Sequence, residues 1–586
     1  MWNSFEIRKK FIDFFIGKDH IKIPGVPLTF NDPTLLFVSA GMVPFKSYIL
    51  GEKNPPHKRI VNYQKCFRTV DIEKVGQNSR SLTFFEMLGN WSFGDFWKKE
   101  AISFALELLV DVFGIEKEKL FITVFEGDRE IPQDKETIEI WKKLGIEERK
   151  IFKLSKENNF WIAGNFGPCG PCTEIYYDLG ADVGCKRKEC QPGCDCDRFL
   201  EIWNLVFMEY YLDEKGKLTK LSQKNVDTGA GLERLALVLQ RKKSVFETDL
   251  FFPIIQELKK EGLEDEKSQK IIADHLKGAA FLISEGVFPS NVERGYVLRR
   301  ILRRAVKHLK MSGLSKESLI SPLKKIGEIY ENVYPEIKQK EEEILSVILK
   351  EAENFEKTLD KGLKKFYSEI EILKNSEKRE ISGKVAFDLY QSYGFPLELT
   401  EELAKEKGFS VDKKAFEIEF EKHKEVSRGG AEKKFGGIGK TPDYQAIKHH
   451  TATHLLHAAL RKIFGEKVRQ MGSDITSERL RFDFSFDRKI TKEELKQIED
   501  LINQKIQEDL EVKKEEMSLK EALKSGALAF FKEKYPERVT VYTIDNFSKE
   551  ICAGPHVKRT SELRKFKILK EESAGAGVRR IKAKVE

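Results

Sequence analysis

Hydrophobic positions along this chain change their spacing twice. Up to about residue 240, short apolar runs such as RIVNYQKCFRTV from Arg59 and EIWNLVFMEYYL from Glu201 are separated by Gly and Pro turns. Such runs read as strands, and beside the helical pattern of MWNSFEIRKKFIDFF they make this region α+β. From 241 to 426 the spacing becomes three and four in long segments rich in Lys, Glu and Leu, among them KQKEEEILSVILKEAENFEKTLDKGLKKF. That spacing predicts a helical domain. A glycine-rich stretch, SRGGAEKKFGGIGKTPDY over 427–444, breaks both periods and predicts a linker. Residues 445–586 open on a helical run, HHTATHLLHAAL, and then alternate strand runs such as RLRFDFSF and RVTVYTI with helices, a second α+β region. No internal repeat is present.

Length agrees with this partition: 586 residues exceed what one core organises, and a prior of ~150 residues per domain gives three to four domains. Hydrophobic residues are 40% and charged residues 34%, and no run approaches the ~18 apolar residues of a membrane span. The chain reads as soluble, with no membrane partner. Its amphipathic start is not a secretory signal, so a cytoplasmic location is expected. Eight cysteines in a long chain of this kind point to thiols or metal ligands rather than a disulfide frame. A net charge of +8 matters only where it clusters.

Four of the ten histidines lie in the helical run at 449–460. His450 and His454 are four apart, one turn on the same helix face, and EICAGPHVKRT later supplies Cys552 and His556 at the same spacing. Together they make a four-ligand nitrogen and sulfur set of the kind zinc prefers. His449 and His457 read as surface or cap residues. A second cluster, GCKRKECQPGCDCDRF, places Cys185, Cys190, Cys194 and Cys196 within twelve residues, with Cys169 and Cys172 of GPCGPC nearby. A structural zinc site and a surface loop of free thiols are both open readings.

Two further stretches carry anion chemistry. KCFRTVDIEKVGQNSRSLTFFEMLGNWSFGDFW reads as two strands joined by a polar loop, with Arg68 near the end of one and aromatics on the other. A guanidinium there can bind phosphate and a ring can stack on a base. NVDTGAGLERLALVLQ reads as a Gly-x-Gly turn opening a helix whose first turns carry Glu233 and Arg234, an anion site at a helix N-terminus.

HTATHLLHAAL followed by CAGPHV resembles the editing domain of alanyl-tRNA synthetases and of their deacylase and threonyl-type relatives. The resemblance implies hydrolysis of mischarged tRNA in a zinc-containing cleft. A Gln-x-Gly-Ser stretch of that family is matched by Gln470, Gly472 and Ser473, while Pro555 stands where the alanyl pattern more often has Thr. The two anion stretches resemble motifs two and three of a class II synthetase of the alanyl type, a resemblance that runs from Phe5 onward. It implies the antiparallel-sheet catalytic domain of that class over 1–240, a helical tRNA-recognition domain over 241–426 and a zinc-binding α+β editing domain over 445–586. By the same resemblance Arg68 holds the ATP α-phosphate, Phe84 stacks on adenine and Arg234 meets the γ-phosphate. Asp227 pairs with the ammonium of L-alanine in a pocket of Met42, Trp161, Asn204, Val206 and Gly229. ATP, with Mg2+ on its phosphates, and tRNA(Ala) are the implied partners.

One missing methylene is worth only ~1 to 3 kcal/mol and an added hydroxyl is rejected only ~10²-fold, so an alanine pocket admits glycine and serine. A hydrolytic site on the same chain is the remedy the family uses. In that family an Asn and an Asp read a G·U pair of the acceptor stem; Asn291 matches the first, and Gln391 of YQSYGFP stands at the second. The helix pattern NVERGYVLRRILRRAVKHLK sets Val297, Leu298, Ile301, Leu302 and Leu309 on one side and Arg299, Arg300, Arg303, Arg304 and Lys307 on others, an expected phosphate-contact surface. Longer relatives insert a β-barrel before the histidine helix and continue past the editing domain. Neither module is expected here, which predicts a monomer relying on the acceptor stem. Two alternatives fit the same motifs: an editing-only deacylase, and a synthetase-like tRNA-binding protein without chemistry.

Overall fold

In the computed structural model, which describes residues 2–32, 34–164, 166–376, 379–432, 443–466, 468–486, 488–529, 536–575 and 578–586, the early strand runs gather into one nine-stranded sheet. Its strands are β1 (Ile21–Lys22), β2 (Arg59–Phe67), β3 (Phe84–Phe93), β4 (Leu120–Phe125), β5 (Ile151–Leu154), β6 (Phe160–Ile162), β7 (Gly167–Asp178), β8 (Phe199–Leu212) and β9 (Leu218–Gly231). Their order is β1-β2-β3-β9-β8-β7-β4-β5, with β6 on β7. Every pairing is antiparallel except β1 with β2 and β4 with β5. The central strands β3, β7 and β8 are buried along most of their length because both their faces are covered.

The first helix, Ser4–Ile16, begins at Asn3, whose side chain and that of Glu6 form a reciprocal capping box. It packs Phe11 and Phe15 against Trp203. Helices Glu266–Ser284, Glu293–Met311, Ile320–Tyr330 and the long Glu341–Lys374 follow. Residue 240 is not a break in packing: one apolar core runs from Ile7 through the sheet to Ile348, with Phe84 of β3 stacked on Phe281 at 4.0 Å. A buried ionic network crosses the same boundary. Arg8 donates to Glu86, Tyr334 donates to the same carboxylate at 3.0 Å, and Lys277 pairs with Glu233 at 3.0 Å, whose other oxygen accepts the Glu86 amide. Removing one member of such a network leaves a buried charge and costs about 3–5 kcal/mol. A parallel pair, β10 (Glu380–Ile381) and β11 (Ser410–Val411), lies near the end of this unit.

The chain divides into compact units at Met1–Asp412 and Lys413–Glu586. The expected linker thus begins inside a helix, Lys413–Glu432, its residues 433–442 lie outside the described residues, and 443–444 already belong to the start of the next helix. In the second unit, Asp443 caps the histidine helix Tyr444–Phe464 by accepting from the Ala446 amide, and Gly465 ends it at φ +90°. Strands β12 (Gln470–Ile475), β13 (Leu480–Ser485), β17 (Phe566–Gly575) and β18 (Val578–Val585) form an antiparallel sheet in the order β12-β13-β18-β17. A second sheet joins β14 (Val512–Ser518), β15 (Arg538–Ile544) and β16 (Ser548–Ile551). Leu455, Leu456, Phe482, Phe484 and Ile502 centre this unit's core. No helix among the described residues is long and apolar enough to cross a membrane.

Candidate functional site

Two adjoining clefts open on the large sheet, and Arg68, Asp71 and Lys74 line both. The first, ≈ 660 Å³, is walled by Met42, Ser39, Trp161 and Ala163. The second, ≈ 420 Å³, has Phe85, Met87, Gly229, Gly231, Glu201 and Arg234 on its walls. Arg68 follows β2 directly, and its Nε donates to the Ser39 carbonyl at 3.1 Å, which fixes the guanidinium between the clefts. Arg234 opens the helix Leu232–Leu239 and donates through Nη1 to both the backbone and side chain of Glu201, each at 2.9 Å.

Strand register assembles the expected amino-acid pocket. Val206 lies directly opposite Asp227 and Asn204 opposite Gly229 on β8 and β9. Met42, Trp91 and Val206 share an apolar cluster that Trp161 borders. Asp227 is buried there; Trp91 Nε1 donates to its Oδ1 at 2.6 Å. Burial pushes the Asp227 carboxyl up to about 7, against the opposing pull of that indole N–H. Asn204 donates to Glu174 Oε1 at 3.2 Å, and Glu174 also receives Thr123 and Tyr176. Trp91, Met87, Glu174 and Glu201 border the clefts or hold the side chains around them, and the sequence reading singled out none of the four because each acts on a neighbour distant in the chain.

Two expectations are corrected here. Phe84 cannot reach a base, since it is fully buried beneath Phe281; its neighbour Phe85 faces the cleft, with the Arg68 guanidinium 4.8 Å over its ring. Alternation along a strand sends adjacent residues to opposite faces, and FF at 84–85 hides the phase. The Gly229-Ala230-Gly231 segment is extended strand rather than a turn. Gly229 is needed for space: a Cβ there would come within 2.6 Å of the Met87 sulfur.

The arginine row is also corrected, because its charges are already matched within the first unit. Arg299 and Arg303 share Glu351 at 3.0 and 2.8 Å, Arg300 pairs with Glu73 and with Glu398, and Arg304 pairs with Glu402 at 2.9 Å. Arg304 further donates to the carbonyls of Ile72 and Val75, and Lys307 is buried beside Glu402 and Glu406. This face ties helices together and is not an open phosphate surface. What it does present is Asn291, exposed and held through Oδ1 by Arg299, and Gln391, exposed near Gly394, whose carbonyl Arg303 binds.

In the second unit, one ligand atom from each of His450, His454, Cys552 and His556 lies within 4.8 Å of all the others. His450 Nε2 is 3.4 Å from the Cys552 sulfur, while its Nδ1 donates to the Pro555 carbonyl at 3.1 Å. His454 Nδ1 meets Glu550 at 3.0 Å, and His556 Nδ1 meets Thr451 Oγ1 at 3.3 Å. Each imidazole therefore has one nitrogen anchored outward and the other available, the arrangement metal-ligating histidines use. His556 Nε2 is buried without a hydrogen-bond partner, as a ligand atom awaiting a cation would be. Burial alone would raise the Cys552 thiol, but the neighbouring histidines lower it, which favours the thiolate that a metal takes as a ligand.

The other two histidines of this helix are not surface or cap residues but are buried and structural. His457 Nδ1 meets the second oxygen of Glu550 at 2.9 Å, and His449 Nδ1 meets the Thr476 carbonyl at 2.8 Å, tying the helix to the end of β12. Gln470, Gly472 and Ser473 stand on that edge strand, with Gln470 Nε2 donating to Ser473 Oγ at 3.0 Å. Pro555 is exposed, and its role visible here is the carbonyl that orients His450. The other cluster, Cys185, Cys190, Cys194 and Cys196, also brings its sulfurs within 4.8 Å of one another, whereas Cys169 and Cys172 are buried on β7 and stand apart from it.

The family model for class II (A) tRNA synthetases matches residues 6–526, and that for the threonyl and alanyl tRNA synthetase second additional domain matches 539–582. The chain is 48% identical to the alanine–tRNA ligase of Borrelia hermsii over 591 residues, covering 99% of each. It is 46% identical to that of Treponema pallidum over 594 residues, covering 99% of this chain and 98% of the relative. Against the alanine–tRNA ligase of Thermoanaerobacter sp. (strain X514) it is 38% identical over 696 aligned residues, covering 99% of this chain and 79% of that one. That aligned length exceeds the present chain, so the longer relative carries inserted residues within the match. With a family model across most of its length and relatives matched nearly end to end, the chain belongs to the alanyl-tRNA synthetase family of class II.

Proposed function

We propose that the chain joins L-alanine to tRNA(Ala) through an alanyl-adenylate and hydrolyses Ser- and Gly-tRNA(Ala) at its second site. The observation that carries the first half is the cross-strand placement of Asp227, Val206, Asn204 and Gly229 beside the Arg68–Arg234 clefts. The alanine ammonium pairs with the Asp227 carboxylate, which Trp91 orients, and the methyl group meets the cluster of Met42, Val206 and Trp161. Arg68 neutralises the α-phosphate as the alanine carboxylate attacks it and pyrophosphate leaves; Arg234 steadies the γ-phosphate from its Glu201 clamp. Phe85, rather than Phe84, takes the adenine ring. Asp71 and Glu201, both on the walls of the second cleft, would hold magnesium, which would supply charge neutralisation on the phosphates. The acyl group then passes to the terminal adenosine of tRNA, whose acceptor stem meets Asn291 and Gln391.

For the hydrolytic half, His450, His454, Cys552 and His556 fit zinc in donor type, number and outward anchoring. When bound there, zinc supplies a Lewis-acidic anchor for the aminoacyl end. Glu550 orients His454 and the Pro555 carbonyl orients His450, while Gln470, Gly472 and Ser473 of β12 are the residues the family resemblance assigns to the editing cleft.

Alanine-dependent exchange of pyrophosphate into ATP tests the reading; exchange with alanine above glycine and serine is expected. Deacylation of Ser-tRNA(Ala) without any exchange would assign the chain to the editing-only alternative. A stable dimer at micromolar concentration in light scattering would contradict the proposed monomer.

A further inference from the structure

Residues 185–196 sit in the loop between β7 and β8 and contribute no side chain to the apolar clusters around the sheet. The loop is nonetheless folded tightly on its four thiols. Cys185 and Cys194 are 3.8 Å apart at sulfur and Cys190 and Cys196 3.5 Å apart. A tetrahedral site with Zn–S bonds of 2.3 Å requires sulfur separations of about 3.8 Å. Arg187 donates to the sulfurs of Cys185 at 3.2 Å and Cys194 at 3.0 Å, offsetting the charge that four thiolates around one divalent ion would carry.

The same loop grips the polar segment between β2 and β3. Arg80 Nη1 donates to the Cys196 carbonyl at 2.6 Å and to Asp197 at 3.0 Å, and its Nη2 donates to the Asp195 carbonyl at 3.1 Å. The Ser79 amide donates to the other Asp197 oxygen at 3.2 Å. Arg80, Asn78, Ser81 and Asp195 all line the cleft that holds Phe85 and Arg234. One wall of that cleft is therefore fixed by the thiol loop through Arg80.

We infer that Cys185, Cys190, Cys194 and Cys196 bind one zinc ion, and that this site shapes the nucleotide-binding wall through Arg80. The metal half stands alone; the nucleotide half rests on the activation reading above. Zinc per chain, measured on the full-length protein by mass spectrometry, should be two for the native chain and for Arg80→Ala, and one for Cys190→Ser/Cys194→Ser and for Cys552→Ala. In pyrophosphate exchange, the double cysteine variant and Arg80→Ala should both raise the KM for ATP on the order of tenfold with kcat little changed. Deacylation of Ser-tRNA(Ala) should be untouched by either. Unchanged zinc in the double variant overturns the site, and loss of one zinc with an unchanged KM overturns the link to the nucleotide. Should the double variant not fold, cobalt substitution of Cys552→Ala decides: intense thiolate-to-cobalt absorption is expected from the four-thiol site, and its absence overturns it. A native chain without exchange activity would instead refute the activation reading, while the zinc counts still test the site.

Discussion

The activation clefts and the histidine–cysteine cluster handle the same aminoacyl group with opposite materials. The first depends on strand register: cross-strand neighbours on β8 and β9 set the pocket, and its charges are fixed by partners such as Glu201 on Arg234 and Trp91 on Asp227. The second depends on ligand atoms converging from one helix and one loop, with Glu550, Pro555 and Thr451 turning each ring inward. Selection by space can discriminate only weakly against a smaller or slightly more polar substrate, so the chain adds a site whose selectivity comes from a separate, ligand-built cleft.

Variants should separate the two. Cys552→Ala should abolish deacylation of Ser-tRNA(Ala) and remove one zinc per chain while alanine charging continues, checked by parallel deacylation and charging assays. Asp227→Asn should do the reverse. Loss of a desolvated charge pair worth about 3 kcal/mol predicts a drop on the order of 100-fold in kcat/KM for alanine, with deacylation intact. Glu550→Gln keeps all four ligands but loosens His454, so deacylation or zinc affinity should fall by about 10–100-fold. Phe85→Ala should raise the KM for ATP about tenfold, equivalent to ~1.4 kcal/mol of stacking, without a change in thermal stability. Phe84→Ala should instead cost about 3–5 kcal/mol of stability, read as a lowered Tm, because it empties the core beneath Phe281.

The smallest effect concerns pH. The alanine ammonium needs the Asp227 carboxylate, and burial pushes that carboxyl up to about 7. Below that pH the free pocket is protonated and neutral, so kcat/KM for alanine should rise with pH and level off above it, by about twofold between pH 7 and 8. Deacylation has no Asp227 and should not share this limb. A flat profile for alanine would show that Asp227 titrates well below the range.

Much of this was legible in the sequence because local periodicity and chemistry agreed. The helix carrying His450 and His454, the capped first helix, and strands β2, β8, β13 and β15 all form where their spacing predicts. The failures share a cause, information held far away in the chain. The phase of Phe84 and Phe85 is set by Phe281 on a helix, since both faces of β3 are covered. The arginine row looked free because its acids, Glu73, Glu351, Glu398 and Glu402, lie elsewhere in the sequence. The change in composition at residue 240 marks a change of element type, while one core passes through it.

Charging of acceptor-stem minihelices with alanine tests the whole account most directly, using two stems that differ only in a G·U or a G·C pair at the identity position. With purified protein, ATP and magnesium, the account predicts that the G·U stem is charged and the G·C stem is not, and that Asn291→Ala weakens the difference. Failure to charge either stem would contradict it.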